Sequence, residues 1–356
     1  MEQTIRIAIT HGDINGSGYE MILKAFNDPT MFELCTPIVY GSAQAAAFYA
    51  SRLQQEGIPQ FYHIKTAAEA KQNRLNLIDC FENAEIEIHP GESTPESGKA
   101  AMVALQAAVE DYKKGAFDVL VTCPVTRSSI DGFHGHADYL ERQLNEAGKG
   151  LSILMNEDLR VALVTNNLAV KDVSESITKQ KIVEKGLLFA QTLKRDLRVS
   201  SPRIAVLSLN PRCGEDGALG DEEQEIILPA INELEEKGVQ AFGPYAADNF
   251  FGEGQYYRFD GVLAMYHDQG MTPFKTLSPN NGVRFTGGLS IVRTAPAYPT
   301  TLRHAIWAAT DVLNNRKEYD APMGNPLPKL YHERRDESEK VRFRAPVANS
   351  QPTEQE

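Results

Sequence analysis

The chain has 356 residues, 42% of them hydrophobic and 24% charged. That is the balance of an ordinary globular protein, long enough for two packed domains or one large one. Its formal net charge of −12 argues against a nucleic-acid or anionic-membrane surface, because phosphates would be repelled, but it leaves room for a local basic pocket.

The four cysteines, Cys35, Cys80, Cys123 and Cys213, show neither CxxC spacing nor a paired pattern. Reduced thiols in a cytoplasmic protein are the natural reading. The first ten residues carry no basic region and no long apolar core, so no signal peptide is expected, and no apolar run reaches the length of a membrane span.

In chain order, Arg6 to Thr10 alternates into a short strand. The glycine-rich run His11 to Gly18 follows, and then the helix-like Tyr19 to Phe26. Strand, glycine loop and helix together make either a phosphate cradle or a tight turn that needs positive φ; the spacing matches neither a dinucleotide fingerprint nor a Walker loop. A strand is expected at Pro37–Tyr40, a helix at Ala43–Gln55, and short strands near Phe61–Ile64 and Leu75–Asp79.

The helix from Ser97 to Tyr112 presents Ala100, Val103, Ala104, Ala107, Ala108 and Val109 as a small apolar face suited to close packing on a sheet. Phe117–Thr122 reads as a strand ended by Cys123-Pro124. A loop over Val125–Phe133 leads to a helix at Tyr139–Ala147. Leu151–Met155 and Arg160–Thr165 read as strands, and one long helix runs from a cap at Asp172 or Ser174 to about Leu197.

Arg203–Leu209 is a further strand. Asp221 is placed to cap a helix whose Glu222, Glu223 and Glu225 form a solvated, dipole-favourable start. Phe259–Ala264 reads as a buried strand followed by a polar loop, Met265-Tyr266-His267-Asp268-Gln269-Gly270. Val283–Thr286 and Ser290–Arg293 are strand-like, and a helix begins at Thr300 or Thr301. The charged tail over 321–356 has too little apolar content to bury a core and is expected to be disordered.

Strands alternating with helices give an α/β class. Polar clusters at four strand ends, Thr122-Cys123-Pro124, Thr165-Asn166-Asn167, Asn210-Pro211-Arg212 and Tyr266-His267-Asp268-Gln269, fall where open α/β sheets place ligand sites. With Gly135-His136, the segment from Leu209 to Glu223, Gly243 to Asp248, Lys275 and Arg293-Thr294, the chain resembles the 4-hydroxythreonine-4-phosphate dehydrogenase family of pyridoxal phosphate biosynthesis, from about Ile5 to Arg293.

The resemblance implies an isocitrate-dehydrogenase-like α/β/α fold, with two domains and a cleft between them. The first domain is expected over 1–130 plus about 285–320, and the second, with most of the site, over 131–284. The resemblance also implies a homodimer, and NAD-dependent oxidation, with decarboxylation, of 4-phosphohydroxy-L-threonine or a related phosphorylated hydroxy acid. His267 and Asp268 fall at catalytic positions, and His136, Lys275, Arg293, Arg127 and Arg284 at substrate positions.

The family holds a divalent metal such as zinc, magnesium or cobalt with three histidines, of which His267 matches one. Asn167 and Arg212 stand at the other two ligand positions. A neutral amide is a poor ligand for such ions, and a guanidinium has no lone pair to give. Arg212 is open to three readings: an anion binder, a neutral replacement in a decayed site, or a stand-in for the metal's charge. The family's Ser-Pro-Asp-His-Gly-Thr after Arg293-Thr294 is here Ala295-Pro296-Ala297-Tyr298-Pro299-Thr300. The alternative function is a homologue that binds an anionic metabolite or a partner chain without redox turnover.

Overall fold

The computed structural model describes residues 4–53, 57–81 and 86–321. Its strands are β1 (Ile5–Thr10), β2 (Cys35–Gly41), β3 (Phe61–Ile64), β4 (Leu75–Asp79), β5 (Val119–Thr122), β6 (Leu151–Met155), β7 (Arg160–Leu163), β8 (Arg203–Leu207), β9 (Gln240–Tyr245), β10 (Gly261–Ala264), β11 (Val283–Gly287) and β12 (Val292–Pro296). They join in one 12-stranded sheet of order β3-β4-β2-β1-β5-β12-β11-β6-β7-β10-β8-β9.

Pairing is parallel except where β11 meets β12 and β6, and where β6 meets β7. Strands from residues 5–122, with β12, occupy one half of the sheet, and strands from 151–287 the other. Residues Met1–Tyr319 form one compact unit.

The strands are apolar on both faces because helices cover both. β1 from Ile7, β2 throughout and β5 throughout are buried. The small-residue face of helix Pro95–Lys113 packs as its composition predicts through Ala100, Ala104, Ala108 and Val109. Val103, however, turns outward, at 41% exposed, and Leu105 takes its place on the buried face. A capping box fixes where this helix starts: Thr94 accepts from the Ser97 N–H and the Ser97 side chain accepts from the Thr94 N–H, with Pro95 opening the first turn.

The expected long helix after Asp172 is two helices, Val173–Ser176 and Lys179–Arg195. Ile177 adopts an extended backbone between them, and Thr178 caps the second by accepting from the Lys181 N–H at 3.2 Å. Two consecutive β-branched residues with a capping hydroxyl favour that break.

At the far end, Arg316 of helix Leu302–Asp320 is buried. It donates to both carboxylate oxygens of Asp196, at 2.7 and 2.9 Å, and to the carbonyls of Leu289 and Ser290. Sequence reading gave no sign of this clamp.

Several expectations shift at the edges. Gln54 and Gln55, expected to end the helix from Ala43, lie outside the described residues, as does the tail from residue 322. The glycine run after β1 is a turn: a Cβ at Gly12, whose φ is +74°, would sit 2.3 Å from the Pro124 carbonyl oxygen, and one at Gly18 would overlap the His11 carbonyl.

Glu223 is not a solvated helix start. It is buried, and accepts from the Leu209 and Asn210 N–H groups at 2.7 and 2.8 Å and from the Asn210 amide at 2.9 Å. It fixes the loop after β8, while a short π-helix, Glu223–Ile227, precedes the α-helix Leu228–Glu236.

Candidate active site

The polar segment after β10 is the start of a helix rather than a loop. Tyr266 is its extended N-cap, and the helix runs from His267 to Leu277. The Gln269 side chain accepts from the Met265 N–H at 2.8 Å and donates to the Ser208 carbonyl at 2.6 Å, tying the turn to the end of β8. A Cβ at Gly270 would meet Val161, Ala264 and Leu163 within 3.1 Å, so glycine lets the helix lie directly on β7 and β10. Gln269 and Gly270 therefore place His267 without being part of the chemistry.

His267 Nδ1 lies 2.8 Å from Asp268 Oδ1. This bond orients the imidazole and makes Nδ1 the hydrogen-bearing nitrogen, leaving Nε2 as an acceptor.

A cavity of about 700 Å³ opens at the carboxyl ends of β5 and β7. Thr122 to Val125 and Arg127 line it after β5, and Leu163, Val164, Asn166 and Asn167 after β7. Arg284 and Thr286 of β11, Arg293 of β12, His136, Lys185 and His267 are among the other polar residues of its wall.

His136 is the first residue of helix His136–Leu144, entered through Gly135 at φ 133°, a conformation suited to glycine. Its ring is half-buried, with one side open to the cavity, and stands edge-on to Phe133 at 5.4 Å between ring centroids. Burial first, then the charges of Arg293 and Arg127, hold its pKa well below the ordinary range, so the imidazole is neutral at physiological pH.

Arg293 is buried. Its Nε donates to Thr122 Oγ1 at 3.1 Å and its Nη1 to Thr286 Oγ1 at 3.3 Å, with a further bond from Nη2 to Thr122. These use three of the five N–H donors of a guanidinium and leave the others for a ligand. Burial, then Arg284, lowers its pKa to about 9, which leaves it charged at neutral pH. Arg284 is lowered by burial and by Arg127.

Among the described residues, none of Arg127, Arg284 and Arg293 is ion-paired to a carboxylate. Two carboxylates do line the cavity, but both are engaged elsewhere. Asp138 pairs with Arg142 at 2.6 Å, and Glu141 accepts from the Gly148 and Gly150 N–H groups. The wall therefore carries unneutralised positive charge.

Three positions named from sequence, Lys275, Arg212 and Asp268, fall outside this cavity. Lys275 is exposed on the last turn of helix His267–Leu277 and does not line it. Arg212 projects from the turn Pro211–Asp216 and pairs with Glu215 at 2.8 Å, its side chain 68% exposed. That turn holds Arg212, Cys213 and Glu215 at φ of 52°, 56° and 44°, a conformation that costs on the order of 1 kcal/mol or more per non-glycine residue. Asp268 lines a smaller cavity of about 230 Å³, which shares Asn167 and His267 with the main one.

The residues present do not fit a tightly held divalent metal. Among the described residues, no three His, Cys, Asp or Glu side chains gather as a metal site. At the three positions where the family resemblance puts ligands stand one imidazole, with Nε2 able to coordinate, one exposed amide, and one guanidinium that points elsewhere, and one imidazole alone does not hold such an ion tightly.

A large mixed sheet with helices on it and a cavity at its strand ends, lined by guanidinium groups, a neutral histidine and His267, defines an α/β protein of the isocitrate-dehydrogenase-like class. The family model described as pyridoxal phosphate biosynthetic protein PdxA matches residues 33–311. A relative from Bacteroides thetaiotaomicron, a 4-hydroxythreonine-4-phosphate dehydrogenase, is 48% identical over 96% of this chain and 98% of its own length. One from Sulfurihydrogenibium sp., of the same name, is 36% identical over 83% of this chain and 90% of its own.

The crystal structure of 4-hydroxythreonine-4-phosphate dehydrogenase from Klebsiella pneumoniae superposes with a TM-score of 0.69 at 27% identity. The match covers 89% of this chain and 97% of that one. The chain belongs to the PdxA family of pyridoxal phosphate biosynthesis.

Proposed function

We propose that this protein oxidises 4-phosphohydroxy-L-threonine, or a closely related phosphorylated hydroxy acid, with NAD as the hydride acceptor. The observation that carries this reading is the group of three guanidiniums without carboxylate partners around one cavity. It complements a ligand bearing a phosphate and a carboxylate, since arginine binds both in bidentate fashion. A cavity of about 700 Å³ has room for such an acid beside a nicotinamide ring.

In this reading Arg293, held by Thr122 and Thr286, and Arg127 and Arg284 grip the two anionic groups. His136, kept neutral, adds a hydrogen bond without further charge. His267 takes the hydroxyl proton on Nε2, while Asp268 holds the ring through Nδ1 and stabilises the imidazolium that forms. NAD, when bound, would supply the hydride acceptor for the carbinol carbon. The β-keto acid so formed loses carbon dioxide, the carbonyl taking the electron pair of the breaking bond as an enolate, which regains the proton held by His267.

Lys275, exposed and outside the cavity, is assigned to a partner subunit's site within a homodimer. The expected setting is the cytoplasm, and no described helix is long and apolar enough to cross a membrane. The test is NADH formation from NAD and 4-phosphohydroxy-L-threonine by the full chain, with and without added divalent ions. Turnover supports the reading, and its absence under every condition overturns it.

A further inference from the structure

The cavity has lost the donors that a divalent cation needs and has gained charge of its own. Asn167 is exposed at its edge, Arg212 is turned away to Glu215, and His267 Nε2 is left as a single imidazole donor. Into the same wall β11 brings Arg284, which falls at a substrate position by the resemblance set out above. Arg284 is half-buried, has no carboxylate partner among the described residues, and shares the cavity wall with Arg127, whose charge acts on it, and with Arg293, on which its own charge acts.

We propose that Arg284 is the specificity-determining residue of this site, and that it makes the cavity a metal-independent receptor for a phosphorylated carboxylate. The inference rests on the reading of the cavity as the substrate site. The three guanidiniums, together with Lys185 and against the Glu141 carboxylate, leave the wall with a net positive charge that repels a divalent cation. The same charges are close to balanced by a phosphomonoester, about −1.5 to −2 at neutral pH, together with one carboxylate. The charge that a metal would bring is thus carried by the chain, on a group that needs no coordination shell and cannot be chelated away. Arg284 supplies it from a strand whose pairing on both sides, to β12 and β6, fixes its position. Arg212, although it stands at a family ligand position, does not take this role, because its side chain is outside the cavity.

The test is calorimetric titration of inorganic phosphate into the full chain, first in EDTA and then in excess magnesium, for the wild type, Arg284→Asn and Arg284→Lys. The expected result is wild-type affinity unchanged by EDTA. Arg284→Asn should bind ~10-fold more weakly, the loss of one charge-assisted contact, and Arg284→Lys should be intermediate with the fold retained. Phosphate binding that needs magnesium, or an Arg284→Asn protein that binds like wild type, overturns the inference. Binding in EDTA with no NADH formation under any condition leaves the inference standing and removes the proposed oxidation. NADH formation that appears only with a divalent ion does the reverse.

Discussion

Replacing Arg293 by methionine separates ligand binding from stability, because the side chain serves the two in opposite directions. Its stem is buried, and its head donates to Thr122 and Thr286 while burying a charge that no carboxylate neutralises. Losing the donors that face the cavity removes one or two charge-assisted hydrogen bonds to a ligand oxyanion. At about 1.5–3 kcal/mol each, that is a ~10- to 10⁴-fold loss of affinity.

The ligand-free protein should suffer much less. The two threonine hydroxyls lose bonds worth roughly 0.5–1.5 kcal/mol apiece, but the substitution also relieves an uncompensated buried charge, which is costly in itself. Arg293→Met should therefore fold and melt close to wild type without ligand, and show none of the thermal stabilisation that phosphate gives the wild type. Thermal melts with and without phosphate, beside calorimetry, read both effects. A variant that binds phosphate within ~2-fold of wild type, a difference below about 0.5 kcal/mol, would refute the role of Arg293 as the buried anion contact.

Other consequences follow from the same structure. Glu223→Gln keeps one acceptor for the loop after β8 but loses the charge that accepts from Leu209, Asn210 and the Asn210 amide. It should cost about 1–3 kcal/mol in denaturant unfolding, and an unchanged midpoint would mean the loop is held otherwise.

His11 is fully buried, and burial lowers its pKa to about 4. The unfolded chain therefore binds the proton first as pH falls. Stability from this group is complete above about pH 6.5 and drops by about 1.4 kcal/mol per pH unit towards pH 4, with His136 acting in the same sense. His11→Phe should flatten that slope between pH 6.5 and 5, and an identical slope in the variant would show that other groups set it. Elemental analysis of the full chain purified from zinc-supplemented medium should find zinc far below one ion per chain, and stoichiometric zinc would contradict the donor-set argument.

Much of the sheet was legible because burial on both faces leaves continuous apolar runs such as Val119–Thr122 and Gly261–Ala264, ended by polar residues that cannot continue into the core. The clusters after β5 and β7, and His267 after β10, likewise pointed to the cavity wall, since parallel strands deliver their carboxyl ends to one edge, whereas Asn210-Pro211-Arg212 lies outside it.

What stayed hidden depends on contacts far apart in sequence. The Thr122 hydroxyl that holds Arg293 lies 171 residues away, and the Asp196 carboxylate that clamps Arg316 lies 120 away. Glu223 looked like one more glutamate in an acidic helix start, and only the fold of the 209–210 loop over it shows why it is buried. The segment after β10 was read as a loop because glycine and polar residues dominate it, yet Gly270 serves close helix–sheet packing and Gln269 bonds back to the sheet. Arg212 could be placed at a ligand position by motif, but the left-handed turn that points it outward has no simple sequence mark.

The central claim is that a guanidinium-walled cavity binds the phosphorylated substrate without a metal. Its most direct measurement is calorimetric titration of 4-phosphohydroxy-L-threonine into the full chain in EDTA. The account predicts one saturable site per chain, with affinity unchanged when magnesium replaces EDTA; no binding in EDTA with binding restored by a divalent ion would contradict it.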